Sequence, residues 1–142
     1  MLTCNIVIEE DGYVLLVKRK NDPEKDKWFT PGGILVKSEW GVDEQARMIA
    51  EDEVGITLEI ESSPSVVYDE HYPKGYNAYD VHLVTLVFYA NPNPPRQIPK
   101  TNEDHDEVQW FKLSKTAPWW IGGGCELGKG VQDFVTEALR ER

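Results

Sequence analysis

The segment from Gly33 to Gly55 constrains the fold of this chain most strongly, because the spacing of its apolar residues is that of a helix. The apolar residues recur every three or four positions and are Val42, Ala46, Ile49, Ala50 and Val54. Residues with this spacing lie on one face of an α-helix, and glycine is common just after a helix ends. The sequence therefore predicts an amphipathic helix over 42–54 that ends at Gly55.

Short runs of aliphatic and β-branched residues on both sides of this helix predict strands. Runs at 6–8 and 14–17 flank Glu10-Asp11-Gly12, which predicts a β-hairpin. Further strands are expected over these ranges: 28–30, 34–36, 56–60, 65–72, 80–89 and 108–111. The four prolines of segment 91–99 predict a loop, because proline does not pair in the centre of a sheet.

A second apolar stripe predicts a C-terminal helix and consists of Val131, Phe134, Val135, Ala138 and Leu139. Strands grouped around two helices predict an α+β fold in which a mixed sheet lies between the helices. A length of 142 residues is that of one domain, which we expect to span 1–142.

The charge and cysteine content limit the classes of function. The chain has 25 Asp and Glu residues against 15 Lys and Arg, a net charge of −10. Duplex nucleic acid is bound mainly through basic residues, whereas a metal ion can bridge acidic residues to an anionic small molecule. Cys4 and Cys125 are too few for a secreted disulfide framework, and no apolar run approaches the roughly 18 residues of a membrane helix. We expect a cytoplasmic protein that binds a small molecule, not duplex nucleic acid or a membrane.

The predicted helix carries charged residues on the side opposite its apolar stripe, and these are Glu44, Arg47, Glu51 and Asp52. Clustered carboxylates repel one another, and oxygen ligands of this kind suit Mg²⁺ or Mn²⁺. An acidic helix face in solvent explains the same charges. The preceding Gly32 and Gly33 favour the metal site, because glycines let backbone atoms approach a metal or a phosphate closely.

The same segment resembles the signature of the Nudix family. That signature is a glycine, five residues, a glutamate, seven residues and an arginine, and Gly33, Glu39 and Arg47 stand at these spacings. The stretches Pro31-Gly32-Gly33 and Glu53-Val54-Gly55-Ile56 match it as well. The resemblance covers nearly the whole chain, and it implies the Nudix fold and Mg²⁺-dependent hydrolysis of a nucleoside diphosphate-linked substrate, with Mn²⁺ as a substitute.

One departure from the signature concerns its first carboxylate. The family usually places a glutamate directly after the arginine, and Met48 stands there in this chain. If the signature is instead counted back from Gly55, Ile49 stands where that glutamate is expected. The resemblance therefore implies a metal site with fewer carboxylates than usual.

A second departure is one extra residue between Arg47 and Gly55. The remaining pair of metal ligands is then either Glu51 with Asp52 or Asp52 with Glu53. We expect Glu51 and Asp52, because they keep the family's spacing from Arg47.

Outside the signature, the chain resembles the GDP-mannose mannosyl hydrolase branch of the family. The similar stretches are 18–20, 28–33 and the acidic loop 103–107, which contains His105 and precedes 108–111, although Ile34 replaces an arginine of that branch. The resemblance implies that water attacks the anomeric carbon of a nucleotide sugar such as GDP-mannose. The implied catalytic residues are His105 as base, Arg19 on the leaving group and the signature Arg47, whose commoner role is structural. The implied metal ligands are the Gly32 carbonyl, Glu51, Asp52 and Asp104.

Two other functions remain open at this point. One is a pyrophosphatase that attacks phosphorus in nucleoside triphosphates or ADP-ribose. The other is a catalytically inactive nucleotide-binding module, which the losses at Ile34 and Met48 favour. His105 and Arg19 are also explained as solvated surface charges. Family resemblance further suggests a homodimer, with the N-terminal strand as one candidate interface.

Overall fold

The computed structural model describes residues 1–21, 24–76, 79–114, 120–121 and 126–140, so Cys125 lies outside the described residues. The strands are β1 (Leu2–Glu10), β2 (Tyr13–Arg19), β3 (Trp28–Phe29), β4 (Gly32–Ile34), β5 (Leu58–Ile60), β6 (Val66–Tyr76), β7 (Tyr79–Pro92), β8 (His105–Ser114) and β9 (Trp120–Ile121). The helices are α1 (Val42–Val54) and α2 (Val131–Leu139).

The strands form a mixed sheet in the order β5-β7-β1-β2-β8-β9. Strands β1 and β7 run parallel, with Leu2 opposite Val84 and Ile8 opposite Ala90, and the other pairs are antiparallel. Strand β3 pairs with β2, β4 with β1, and β6 with β7. The predicted α+β architecture with a mixed sheet is confirmed.

The two helices cover opposite faces of this sheet. One buried cluster contains Val7, Leu16, Val87, Phe134 and Val135, and so joins the sheet to α2. The other contains Ile6, Leu15, Phe88, Ala46 and Ala50, and so joins the opposite face to α1. Neither helix in the described part of the chain is long and apolar enough to cross a membrane.

The hairpin and both helices are confirmed. Asp11 and Gly12 both have positive φ angles, 52° and 83°, as the tight turn between twisted strands requires. Helix α1 covers the predicted range and ends at Gly55, whose φ of 69° is left-handed and whose N–H donates to Glu51 O at 2.8 Å.

Several strand boundaries differ from the prediction. The strand expected at 34–36 is β4, which begins at Gly32 because Gly32 and Gly33 themselves pair with Asn5 and Cys4. The segment expected to be a loop from residue 91 still pairs with β5 as far as Pro92. Its proline is tolerated there because pairing of β7 with β1 has already ended at Ala90.

The N-terminal strand is not an exposed edge. Strand β1 pairs with β7 on one side and with β2 and β4 on the other. Its residues Ile6, Val7 and Ile8 are fully buried. The backbone of β1 is therefore already paired and is not free to join a partner's sheet; the candidate interface at this strand and the homodimer both stay predictions.

Candidate active site

One flank of α1 holds an ion-pair network that fastens the helix to β5. The guanidinium of Arg47 donates to Glu51 Oε2 at 2.7 Å and also to the carboxylate of Glu44. The second oxygen of Glu51 accepts the backbone N–H of Leu58 at 2.8 Å. These contacts raise the pKa of Arg47, and the Arg47 hydrogen bond lowers the pKa of Glu44. Both oxygens of Glu51 are therefore engaged in holding the helix.

The other flank of α1 faces the two glycines of β4. A Cβ atom added at Gly33 would lie 3.2 Å from Cγ2 of Ile49. One turn further along, Glu53 Oε2 accepts the backbone N–H of Gly32 at 3.2 Å. The helix therefore presents Ile49 and Glu53 to the glycines. This is the register counted back from Gly55, in which Ile49 occupies the place of the first signature carboxylate.

Gly32 is held tightly within the sheet. A Cβ atom there would lie 2.2 Å from the backbone oxygen of Cys4, a distance no real side chain adopts. The preceding Pro31 carbonyl accepts the N–H of Ile6 at 2.8 Å, and Thr30 donates its hydroxyl to Asn5 Oδ1 at 2.8 Å. Strand β1 thereby fixes the position of the Gly32 backbone relative to α1.

Arg19 and His105 lie opposite one another where β2 ends and β8 begins. They are register partners, immediately after a shift in pairing between Lys18 and Arg19. The Arg19 guanidinium carbon lies 5.6 Å from the centroid of the Phe29 ring, a cation–π distance. His105 is the first residue of β8 and not part of a loop as expected, because the sheet continues down to its backbone.

Electrostatic effects link these residues to Glu53. Burial raises the pKa of Glu53 to about 8, with smaller upward contributions from Asp104 and Asp52. The Gly32 N–H and the charge of Arg19 act in the opposite direction. A carboxylate that is desolvated and surrounded by other carboxylates is a group whose charge a cation would stabilise.

The pKa of His105 is lowered, chiefly because burial disfavours the charged imidazolium. Arg19 lowers it further, whereas Asp104 and Asp106 raise it. An imidazole that stays neutral at pH 7 is able to accept a proton.

The residues at this site fit a Mg²⁺ ion that retains much of its water. Within the described residues, no group of three or more His, Cys, Asp or Glu side chains forms a complete metal site. Mg²⁺ does not need one, since it is commonly held by one or two carboxylates, several waters and substrate phosphates. Glu53 supplies a carboxylate of this kind beside the Gly32 backbone, and Asp52 and Asp104 add negative charge that acts on Glu53.

The structure separates the predicted site residues into two groups. Those brought to one region are Arg19, Gly32, Asp52, Asp104 and His105, together with Glu53, the alternative ligand. Arg47 and Glu51 lie on the other flank of α1 and hold the helix in place. Asn102, which contacts His105, was missed; its position two residues before Asp104 is a sequence signal for a side-chain turn.

The buried Cys4 is also next to the site but is not reactive. Its thiol pKa is raised to about 12 by burial, which outweighs the Gly33 hydrogen bond, and Glu53 raises it further. A thiol with so high a pKa is a poor nucleophile at neutral pH.

Comparison with known proteins identifies relatives of this chain. A family model described as the NUDIX domain matches residues 2–124. The low-salt glycan biosynthesis protein Agl8 of Haloferax volcanii is 39% identical over 89 residues, which cover 63% of this chain and 53% of that protein. The ADP-ribose pyrophosphatase of Methanocaldococcus jannaschii is 29% identical over 109 residues, which cover 76% of this chain and 59% of that protein. The chain thus spans between half and three fifths of these relatives' length.

A similar solved structure is that of a MutT NUDIX hydrolase from Burkholderia pseudomallei. The TM-score is 0.70 and the sequence identity 26%, and the match covers 96% of this chain and 95% of that one.

Proposed function

The chain belongs to the Nudix family and has the Nudix fold, and from this premise we propose that it is a divalent-metal-dependent hydrolase of a nucleotide sugar. In this proposal, water attacks the anomeric carbon and a nucleoside diphosphate leaves. The observation that carries the proposal is that Arg19 and Asp104 interact electrostatically with both His105 and Glu53, and that Glu53 accepts the Gly32 N–H.

We propose that Glu53 and the Gly32 carbonyl contact the metal directly and that Asp52 and Asp104 bind it through water. Glu53 is preferred to Glu51 because both Glu51 oxygens already accept hydrogen bonds, from Arg47 and from the Leu58 N–H. A divalent cation bound there would neutralise negative charge on the diphosphate of the substrate. Arg47 acts in this proposal by holding α1 in place and not by contacting the substrate.

His105 is the proposed base. Its imidazole takes a proton from water as the water oxygen forms a bond to the anomeric carbon. The bond between that carbon and the diphosphate oxygen breaks, and the electron pair leaves with the nucleoside diphosphate. The guanidinium of Arg19 stabilises the negative charge that develops on this leaving group.

Attack at carbon is favoured over attack at phosphorus by the residue at position 49. Ile49 faces Gly33 and, when the signature is counted back from Gly55, occupies the place of its first carboxylate. Ile49 offers no oxygen, so a second metal ion has fewer ligands here. Chemistry that needs one metal ion and a separate base suits this site better.

The name of one relative supports a glycan-linked substrate. The chain is 39% identical over 89 residues to a protein named for glycan biosynthesis. Glycan assembly consumes nucleotide sugars, and GDP-mannose is the substrate that the branch resemblance makes the first to test.

A second candidate function is ADP-ribose hydrolysis at phosphorus, which yields AMP and ribose 5-phosphate. It is favoured by the match to a protein named ADP-ribose pyrophosphatase, which covers 76% of this chain.

Product analysis in ¹⁸O-labelled water distinguishes these functions. The purified protein is incubated with Mg²⁺ and with GDP-mannose, other nucleotide sugars, ADP-ribose or nucleoside triphosphates. The masses of the products are then measured by mass spectrometry. Labelled free sugar with an unlabelled nucleoside diphosphate is expected. A nucleoside monophosphate with label on a phosphate would instead establish attack at phosphorus. Nucleotide binding without turnover, with or without Mg²⁺, would indicate an inactive binding module.

The role of His105 is tested by His105→Gln, with His71→Gln as the matched control on an exposed position of β6. We expect kcat to fall by about 100-fold or more in the first variant, the usual contribution of a general base, and to be unchanged in the second. Unchanged turnover in His105→Gln would remove the imidazole from the mechanism.

A further inference from the structure

We infer that Asn102 is a positioning residue that holds the proton of neutral His105 on Nδ1 and leaves Nε2 with its free electron pair. The consequence for catalysis rests on the proposed role of His105 as the base. The position of the proton itself does not depend on that role and is measured independently of activity.

The inference begins with two contacts of one oxygen atom. Oδ1 of Asn102 accepts the backbone N–H of Asp104 at 3.0 Å. The same oxygen lies 3.3 Å from Nδ1 of His105. Asn102 therefore bridges the turn that leads into β8 and contacts the imidazole from within the same turn.

The first contact establishes which side-chain atom of Asn102 is the oxygen. A backbone N–H only donates, so the Asn102 atom that faces Asp104 N must be an acceptor, and in an amide side chain that atom is the oxygen. The usual ambiguity between the oxygen and nitrogen of an asparagine is thereby removed.

The second contact then determines the imidazole tautomer. An amide oxygen only accepts hydrogen bonds, so Nδ1 of His105 must carry the hydrogen that it donates to Asn102. Neutral imidazole has one N–H, so Nε2 is unprotonated. None of the described residues forms a hydrogen bond with Nε2. It is the nitrogen that remains free to accept a proton from water.

The hydrogen bond between Asn102 and His105 is partly shielded from solvent. The side chain of His105 is half-buried. Asn102 is half-buried too, which limits the competition of water for the bond.

The Asn102 side chain also constrains the backbone at Asp104. Because Asn102 Oδ1 holds the Asp104 N–H, the turn places Asp104 and His105 in a fixed relation to each other. One residue thus positions both a proposed metal ligand and the proposed base.

Nitrogen NMR reads the proton position directly. Long-range ¹H–¹⁵N spectra of uniformly ¹⁵N-labelled protein, without added metal, distinguish protonated from unprotonated ring nitrogens. The chain has three histidines, and the spectrum of His105→Gln identifies the signals of His105. We expect the wild type above the imidazole pKa to show Nδ1 protonated and Nε2 unprotonated.

Three variants separate the hydrogen bond from general effects on the loop. Asn102→Leu keeps the approximate volume and removes the acceptor, so the proton is expected to distribute between both nitrogens. Asn102→Asp keeps an acceptor oxygen and is expected to retain the Nδ1–H form. Thr101→Ala changes the exposed neighbouring residue and is expected to leave the spectrum as in the wild type.

Kinetics then test the consequence. We expect Asn102→Leu to lower kcat by about 10- to 100-fold, as loss of an orienting partner commonly does, with little change in KM and with recovery in Asn102→Asp. The inference is overturned if the wild type carries the proton on Nε2, or if Asn102→Leu leaves the tautomer unchanged. If Nδ1 is protonated but His105→Gln retains full turnover, the positioning stands and the proposed base is wrong.

Discussion

The backbone N–H of Gly32 donates a hydrogen bond of 3.2 Å to Oε2 of Glu53, joining strand β4 to the last turn of α1. This contact places the Glu53 carboxylate, whose pKa is raised by burial, beside the backbone that a metal ion or phosphate would approach. It also distinguishes Glu53 from Glu51, whose carboxylate holds Arg47 and the N–H of Leu58. The two glutamates are expected to respond differently to the same substitution.

We predict that Glu53→Gln abolishes most activity, whereas Glu51→Gln mainly reduces stability. Loss of the Glu53 charge should lower kcat by about 100- to 1,000-fold and weaken Mn²⁺ binding measured by calorimetry. Loss of the Glu51 charge should cost about 1–3 kcal/mol in the free energy of unfolding while most of the turnover remains. The reverse pattern would place the metal on Glu51 and Asp52.

A carboxylate restored at position 49 should strengthen metal binding. Ile49 faces Gly33 one turn before Glu53, so Ile49→Glu is expected to add an oxygen ligand. Met48 is 46% exposed and lies outside this flank, so Met48→Glu is the matched control and should leave metal binding unchanged. Manganese titration followed by electron paramagnetic resonance gives affinity and stoichiometry for both. If only Met48→Glu gained affinity for manganese, the register counted from Arg47 would be the functional one.

The ionisation of Glu53 should make the metal-free protein less stable as the pH rises from about 4.5, the ordinary pKa of a glutamate, to about 8, its pKa in the folded protein. Between these values the folded protein holds a proton on Glu53 that the unfolded chain has released. The free energy of unfolding therefore falls with pH, with a slope of at most about 1.4 kcal/mol per pH unit for one proton.

The contribution of Glu53 is measured by urea unfolding of the wild type and of Glu53→Gln over a range of pH, with a chelator present to remove metal ions. The difference between the two proteins should shift in favour of Glu53→Gln as the pH rises, and Mg²⁺ should stabilise the wild type most at the alkaline end. Parallel curves for the two proteins would mean that Glu53 has an ordinary pKa.

Substitutions of the two glycines should have unequal effects. In Gly32→Ala the new methyl group would lie 2.2 Å from the backbone oxygen of Cys4, so strand pairing has to shift and both stability and kcat should fall. In Gly33→Ala the methyl group meets Cγ2 of Ile49, a side-chain atom, at 3.2 Å. The second variant should fold, and Gly33→Ala with Ile49→Leu, which has no Cγ2, should recover stability in thermal unfolding. Equal loss in both single variants would contradict this account.

The helix and the hairpin were predictable from the sequence because their signals are local. The apolar stripe on 42–54 and the glycine after it determine where α1 begins and ends, whatever else the chain does. The strand β4 was placed two residues too late, since glycines carry no side-chain pattern and their pairing with Asn5 and Cys4 depends on a distant strand. His105 was placed in a loop for a similar reason, because its pairing with Arg19 crosses the sheet.

The sequence by itself determined the family, the set of candidate residues and the fact that one carboxylate of the signature is missing. It could not decide between Glu51 and Glu53, because one extra residue rotates the following side chains by about 100° around the helix. The tertiary structure decided their positions by packing Ala46, Ala50 and Val54 on the sheet, which turns Glu53 toward Gly32 and Glu51 toward Arg47 and β5. Periodicity specifies which residues share a face, and only packing specifies what that face meets.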